Sequence, residues 1–232
     1  MSDSSEKLVE TPMWDLPVRL FHWSFAICFT VSWISGQAEN LKLHYGSGMV
    51  LLGLVVFRVL WGLVGSPTAR FAHFLRGPGA AISYLRQSFG HFAPSHSFGH
   101  NAAGGLMVAA LIGLAGLQVV SGMSSTDDLI FEGPLYGHLP NWLARPLEIV
   151  HEPLANILLA LALLHIAVIL VYRILKRENL VRAMVLGRAR LPQPVAAAAT
   201  ARGETKGAPL GRAFLCAVIA AAVPAAIHVY LG

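Results

Sequence analysis

A helix needs about 20 consecutive apolar residues to cross the hydrocarbon core of a bilayer, and this sequence contains five such runs. They lie at residues 18–36, 45–65, 101–122, 149–172 and 213–231. Inside lipid every backbone N–H and C=O must be paired within its own segment, so runs of this kind become helices. The chain is 55% hydrophobic and only 12% charged, a balance unlike that of a soluble domain. The expectation is an all-α integral membrane protein with five transmembrane helices, the first four close together in sequence. The formal charge of +5 would suggest nucleic acid in a soluble protein. Here the cations flank apolar spans, where insertion topology accounts for them, and nucleic acid is excluded as a partner.

The distribution of those cations predicts orientation. With a cytoplasmic N-terminus, all of the 17 Lys and Arg residues except Lys42 and Arg145 fall on the inner side, as the positive-inside rule requires. The first residues are polar and partly acidic, unlike a cleavable leader with a basic start and an immediate apolar core. The C-terminus then faces the opposite side, the periplasm of a bacterial inner membrane. The connection between the third and fourth spans is instead acidic, with Asp127, Asp128, Glu132 and Glu148. Residues 1–13 read as a cytoplasmic tail, 14–190 as a four-helix domain, 191–211 as a flexible linker rich in Ala, Pro and Gly, and 212–232 as a detached fifth helix. Within the inner loop, residues 80–89 suit a short interfacial helix. Residues 131–142, mixing Gly, Pro and aromatics, suit an ordered cap at the outer surface.

Ionisable or ligating residues inside membrane spans are costly and mark functional sites. His22 lies near the inner start of the first span, and His44 and His151 open the second and fourth spans at the outer side. His165 follows His151 by fourteen residues, about 21 Å of helical rise and just under four turns. His151 and His165 therefore project from nearly one face at two depths, level with His44 and His22 respectively. Two separate His pairs lack the further ligands that tetrahedral zinc takes. A haem brings four equatorial nitrogens of its own and needs two axial ligands. The reading is two b-type haems, His44/His151 outer and His22/His165 inner. Covalent attachment is excluded on the usual signature, because Cys28 and Cys216 are the only cysteines and no C-x-x-C-H occurs.

Around these ligands, Arg58 and Arg19 are candidates for an inner haem propionate, since Arg offers a planar fork to a carboxylate; both also suit interfacial anchoring. His100 opens the third span, in a position to bond a propionate, relay protons to a quinone or cap the helix. Gly46, Gly48, Gly53, Gly104, Gly105 and Gly113 leave room for a flat macrocycle or serve close helix packing. His73, His91, His96 and His138 read as loop residues on the surface. His228 has no identifiable partner in the sequence. Trp14, Trp23, Trp33, Trp61 and Trp142 lie near span ends, as an interfacial aromatic belt would place them.

The order of motifs is itself informative: Pro17-Val18-Arg19-Leu20-Phe21-His22-Trp23, then His44-Tyr45-Gly46-Ser47-Gly48, then Phe57-Arg58-Val59-Leu60-Trp61-Gly62 and Ala69-Arg70-Phe71, then Gly99-His100-Asn101, His151-Glu152 and Leu164-His165-Ile166. Over residues 14–187 this resembles the bacterial cytochrome b561 family, in the branch similar to the b-type cytochrome subunit of nickel–iron hydrogenases. The resemblance implies a four-helix di-haem cytochrome with His22, His44, His151 and His165 as axial ligands, exchanging electrons with the quinone pool. The expected partners are lipid, quinone, and a periplasmic c-type cytochrome or hydrogenase or dehydrogenase subunits. A stand-alone superoxide:quinone oxidoreductase is the alternative, but a basic outer funnel would serve that anion, and the outer loops here are acidic.

Overall fold

A computed structural model describes residues 7–88, 97–126 and 131–231. His91, His96, Asp127 and Asp128 lie outside the described residues. The order of elements is β1 (Leu8–Pro12), α1 (Leu16–Gln37), α2 (Leu41–Val64), α3 (Phe71–Phe74), α4 (Gly77–Ser88), α5 (Ala102–Met123), α6 (Asn141–Ile174), α7 (Leu180–Leu186), β2 (Arg188–Pro192), α8 (Gln193–Ala201) and α9 (Leu210–Tyr230). Four helices, α2, α5, α6 and α9, are long and apolar enough to cross a membrane, so the chain is a multi-pass membrane protein. The residues expected as the first span form the helix α1, which is 22 residues long. It is not among those four, because Arg19, His22, Ser24, Ser32, Ser35 and Gln37 dilute its apolar character.

The contacts of the chain fall into two compact units. The first comprises Met1–Leu20, Trp61–Ala109 and Leu164–Ala213. Here α1 begins at an N-cap: the Val18 amide donates to Asp15 Oδ1 at 2.7 Å, which satisfies a donor that the first turn leaves open. The other carboxylate oxygen accepts from Trp61 Nε1 at 3.1 Å. Trp61 is fully buried, so it belongs to the core of this unit and not to the interfacial belt expected of it. Trp142 is 77% exposed. Gly62 lies flat against the Phe71 ring, with no space for a Cβ. The Gly105 position is similar, since a Cβ there would stand 2.8 Å from the Phe74 carbonyl oxygen.

Two segments of this unit that carry no long apolar run form ordered elements. The N-terminal tail contains β1, which pairs antiparallel with β2 in the register Leu8↔Pro192, Glu10↔Arg190, Pro12↔Arg188. Arg182 binds the Glu10 carboxylate at 2.6 Å, and this contact holds the Glu10 carboxyl below its ordinary range. The stretch 191–211, expected as a flexible linker, carries the end of β2 and all of α8. Alanine is the best helix former, and Pro at the start of a helix loses no hydrogen bond; both favour α8, whose Ala196 and Ala199 are buried. Leu191 and Ala196 join Met13 in a small apolar cluster. The short helix expected at 80–89 is present as α4.

The second unit comprises Phe21–Leu60, Ala110–Leu163 and Phe214–Gly232. Its core is built on Leu51, Leu52, Val119 and Met123, against which Phe25, Phe29, Leu54 and Ile227 pack. The ordered outer cap is present in part: the Gly133 amide donates to Ser125 O at 2.9 Å and the Leu135 amide to Met123 O at 2.7 Å. The last helix, α9, packs on α2. A Cβ on Gly53 of α2 would stand 3.0 Å from the Ala220 carbonyl of α9, so the two backbones meet closely, and Val223 and Ile227 pack on the core.

Two glycines of α5 give a direct test of this packing. Gly105→Ala should lower thermal stability in detergent by about 1–3 kcal/mol, because the added methyl overpacks against backbone. Gly116→Ala should raise it by about 0.5–1 kcal/mol through helix propensity, since its Cβ would rest at an ordinary 3.6 Å from Val55 Cγ1. Equal shifts for the two would contradict the arrangement.

Candidate functional site

His44 and His151 meet in the second unit. Their ring centroids are 6.0 Å apart and their planes nearly perpendicular, at 83°. His44 stands in the first turn of α2, and its Nδ1 lies 2.8 Å from the backbone carbonyl oxygen of Ser32 on α1. His151 is carried by α6, and its Nδ1 lies 3.1 Å from the carbonyl oxygen of Gln118 on α5. A carbonyl only accepts, so each Nδ1 carries the hydrogen and each Nε2 keeps its lone pair. This is the arrangement that fixes ring orientation and tautomer in imidazole–metal sites.

Polar residues buried in otherwise apolar helices complete the setting. Ser121, with no exposed surface, places Oγ 3.0 Å from His151 Nδ1, while its own hydrogen goes to Gln118 O at 2.8 Å. The Gln118 side-chain nitrogen lies 3.1 Å from the same Nδ1, and Oε1 of this side chain is buried without a partner. Exchanging the amide oxygen and nitrogen gives Nδ1–H an acceptor in place of a second donor, so the flipped rotamer is the consistent one. Two glycines seat the rings. A Cβ on Gly36 would come within 3.0 Å of His44 Nδ1, and one on Gly122 within 2.6 Å of His151 Cε1. Ser32, Gln118, Ser121, Gly36 and Gly122 were not singled out from sequence. A polar residue or glycine within an apolar run is the signal, but nothing in the run says which histidine it faces.

A cavity of about 210 Å³ opens beside the two imidazoles, lined among others by Gly48, Met49, Leu51, Val119 and Phe131. The glycines weighed from sequence now separate. Cβ atoms on Gly46, Gly48 and Gly113 would meet nothing within 4 Å; Gly48 lines the cavity beside the imidazoles, whereas Gly46 and Gly113 are exposed. Gly53 and Gly105 serve close packing, and Gly104 faces its own N-cap, Asn101.

The remaining candidates are placed as follows. His22 stands on α1 in the second unit, edge-on to Trp23 with centroids 5.0 Å apart. His165 stands on α6 in the first unit. Arg58, on α2, is 2% exposed, which a charge tolerates only with compensation nearby. Arg19 donates from Nη1 to Val185 O at 2.6 Å, a role in tying α1 to α7. His100 lies between the rings of Trp14, at 4.5 Å, and Phe74, at 4.7 Å. It does not cap α5: that is done by Asn101, whose Oδ1 accepts from the Gly104 amide at 2.8 Å. His228, without a partner in the sequence reading, has one: its Nδ1 lies 3.0 Å from the Tyr45 hydroxyl.

The family described as prokaryotic cytochrome b561 matches residues 13–187. The probable Ni/Fe-hydrogenase 1 B-type cytochrome subunits of Escherichia coli K12 and Escherichia coli O157:H7 are each 26% identical over 89 residues, 30% of this chain and 38% of the relative. The match thus spans well under half the length of those curated relatives. No solved structure matches the chain.

Such a family implies haem b, and the pair described above fits it. Two imidazoles bound to one metal through bonds of about 2 Å have centroids about 6 Å apart. The lone pairs stand on Nε2, and among the described residues no group of three or more His, Cys, Asp or Glu side chains converges to compete as a metal site. Gly122→Ala should therefore displace the His151 ring and lower the haem content of purified protein, with helical circular dichroism unchanged. Full haem content in that variant would contradict the seating.

Proposed function

Because this chain belongs to the prokaryotic cytochrome b561 family and is a membrane b-type cytochrome of electron transfer, we propose that it holds two haems and carries electrons between the quinone pool and a periplasmic redox partner. The observation that carries this reading is the His44/His151 pair, with both Nδ1–H groups donated to backbone carbonyls of neighbouring helices. His44 and His151 hold the outer haem. His22 and His165 would hold the inner one, an assignment that rests on the helical spacing of His151 and His165. A b-haem with two imidazole ligands supplies a one-electron carrier that has no open position for oxygen chemistry.

The protein's own residues do the rest. Ser32 and Gln118 hold the imidazoles in one tautomer and orientation through their carbonyls, which makes Nε2 more basic. The apolar wall of Leu51, Val119 and Met123 excludes water, which sets the dielectric around the site. Arg58, buried on α2, would offer its guanidinium to a propionate of the inner haem. The E. coli relatives are named as hydrogenase cytochrome subunits, which supports a membrane-associated redox partner for this chain too. An acidic outer connection, with Glu132 exposed and Glu148 half-buried, suits a basic partner such as a c-type cytochrome.

Two outcomes test the reading. A pyridine haemochrome count should give two haems per chain, falling to one in His151→Ala and in His165→Ala, with different bands lost from the reduced-minus-oxidised spectrum. Retention of both low-spin haems in either variant would overturn the pairing. Charges of opposite sign mainly raise encounter rate and are screened over about 8 Å at physiological salt. Stopped-flow exchange with a cationic c-type cytochrome should therefore slow as salt rises, and less steeply in the Asp127→Asn, Asp128→Asn double variant. Equal salt slopes for cationic and anionic cytochromes would sink the docking idea.

A further inference from the structure

A second cavity in the same unit is a lateral groove of about 520 Å³ along α2 and α9. Its walls are apolar: Met49, Val50 and Leu54 on one side, Ala221 and Pro224 on the other. Among the described residues, no lysine or arginine lines it. One end is different, because there the Tyr45 hydroxyl lies 3.0 Å from His228 Nδ1, with the Phe131 ring 5.9 Å from that of Tyr45. A ligating His on a membrane helix marks a candidate site, and His228 stands in the last turn of α9. Their mutual bond engages Nδ1, so Nε2 of His228 and the second valence of the Tyr45 oxygen are left to meet a ligand.

The position of this pair is as telling as its chemistry. Tyr45 and Met49 line both the groove and the cavity that holds His44 and His151, so the polar end stands one side chain from the imidazoles. Gly53 holds the backbones of α2 and α9 together along the floor, whereas a Cβ on Gly46 would face open space. The occupant must therefore be mostly apolar and enter from lipid, with a small head that exchanges hydrogen bonds with a phenol and an imidazole. A lipid phosphate would call for a cation, and an acyl chain would leave the Tyr–His pair unused. A quinone ring meets each requirement: its carbonyls accept from Tyr45 or His228, and the hydroxyls of its reduced form donate to them.

We propose that this groove is a quinone- and quinol-binding site, with Tyr45 and His228 bonding a ring oxygen and the α2–α9 wall taking the apolar tail. It rests on the reading of the chain as a quinone-linked cytochrome, but α9 lies beyond the residues that the family matches, so the site is a property of this chain. The probe is 2-heptyl-4-hydroxyquinoline N-oxide, whose fluorescence is quenched on binding, titrated into the full-length haem-loaded protein in nanodiscs. Wild type should bind it saturably. Tyr45→Phe and His228→Leu should each weaken binding about five- to tenfold, as the loss of one hydrogen bond does, with haem spectra unchanged. Ala221→Phe, which fills the groove without touching the pair, should abolish it. Wild-type affinity in Tyr45→Phe and His228→Leu with loss only in Ala221→Phe would mean that the groove takes an acyl chain, and would overturn the proposal, as would absence of binding to wild type. Reduction of the haems by decyl-ubiquinol separates this site from the function it rests on. If the groove variants are reduced at the wild-type rate, the site fails and the function stands. If wild type binds the probe but no quinol reduces its haems, the function fails and the site stands.

Discussion

The hydrogen bond from each imidazole Nδ1 to a backbone carbonyl is the constraint on which the His44/His151 site depends. An imidazole in an apolar helix environment carries one donor and one acceptor, and neither is satisfied by its neighbours' hydrocarbon. The carbonyls of Ser32 and Gln118 take the donor of His44 and His151, and in doing so decide which nitrogen is left for a metal. Both carbonyls also accept a serine hydroxyl from their own helices. Ser121 returns its own hydrogen to Gln118 O, and Ser35 does the same to Ser32 O. Glycine at positions 36 and 122 lets the rings approach.

This has a cost that the fold distributes elsewhere. Polar side chains that orient a ligand cannot also pack as apolar surface, so the second unit compensates with a cluster of large aliphatic and aromatic residues around Leu51 and Val119. The last helix contributes Val223 and Ile227 to that cluster, and so has a part in the support of the site as well as in the lateral groove. In the first unit the organising contact is different. Asp15 caps α1 and receives the Trp61 indole, while Gly187, in the left-handed conformation that ends α7, accepts the Met13 and Trp14 amides on its carbonyl.

Much of this was legible from the residues. The apolar runs fixed where long helices form, because backbone hydrogen bonding in lipid leaves no other choice. The absence of a covalent haem motif was equally plain, and the meeting of His44 with His151 followed from their common depth at the ends of two spans. The misjudged parts share a cause. The stretch 191–211 lacks amphipathic period, yet alanines with almost no side chain to place fold into α8 once Leu191 and Met13 give them a surface. His228 looked solitary because its partner, Tyr45, lies 183 residues away in sequence. Trp61 reads as one of several tryptophans near span ends until Asp15 is brought against it.

The sequence by itself therefore determined the class of molecule, the membrane as its solvent, and the imidazoles as its chemistry, since each follows from local composition and from the geometry of one helix. Which carbonyl fixes each tautomer, which glycine seats a ring and which merely lets two helices touch, and what stands opposite Tyr45 were decided only by tertiary structure. Those are relations between separate helices, set by how side chains of particular volume interlock, and no periodicity along one helix encodes the face that another will present to it.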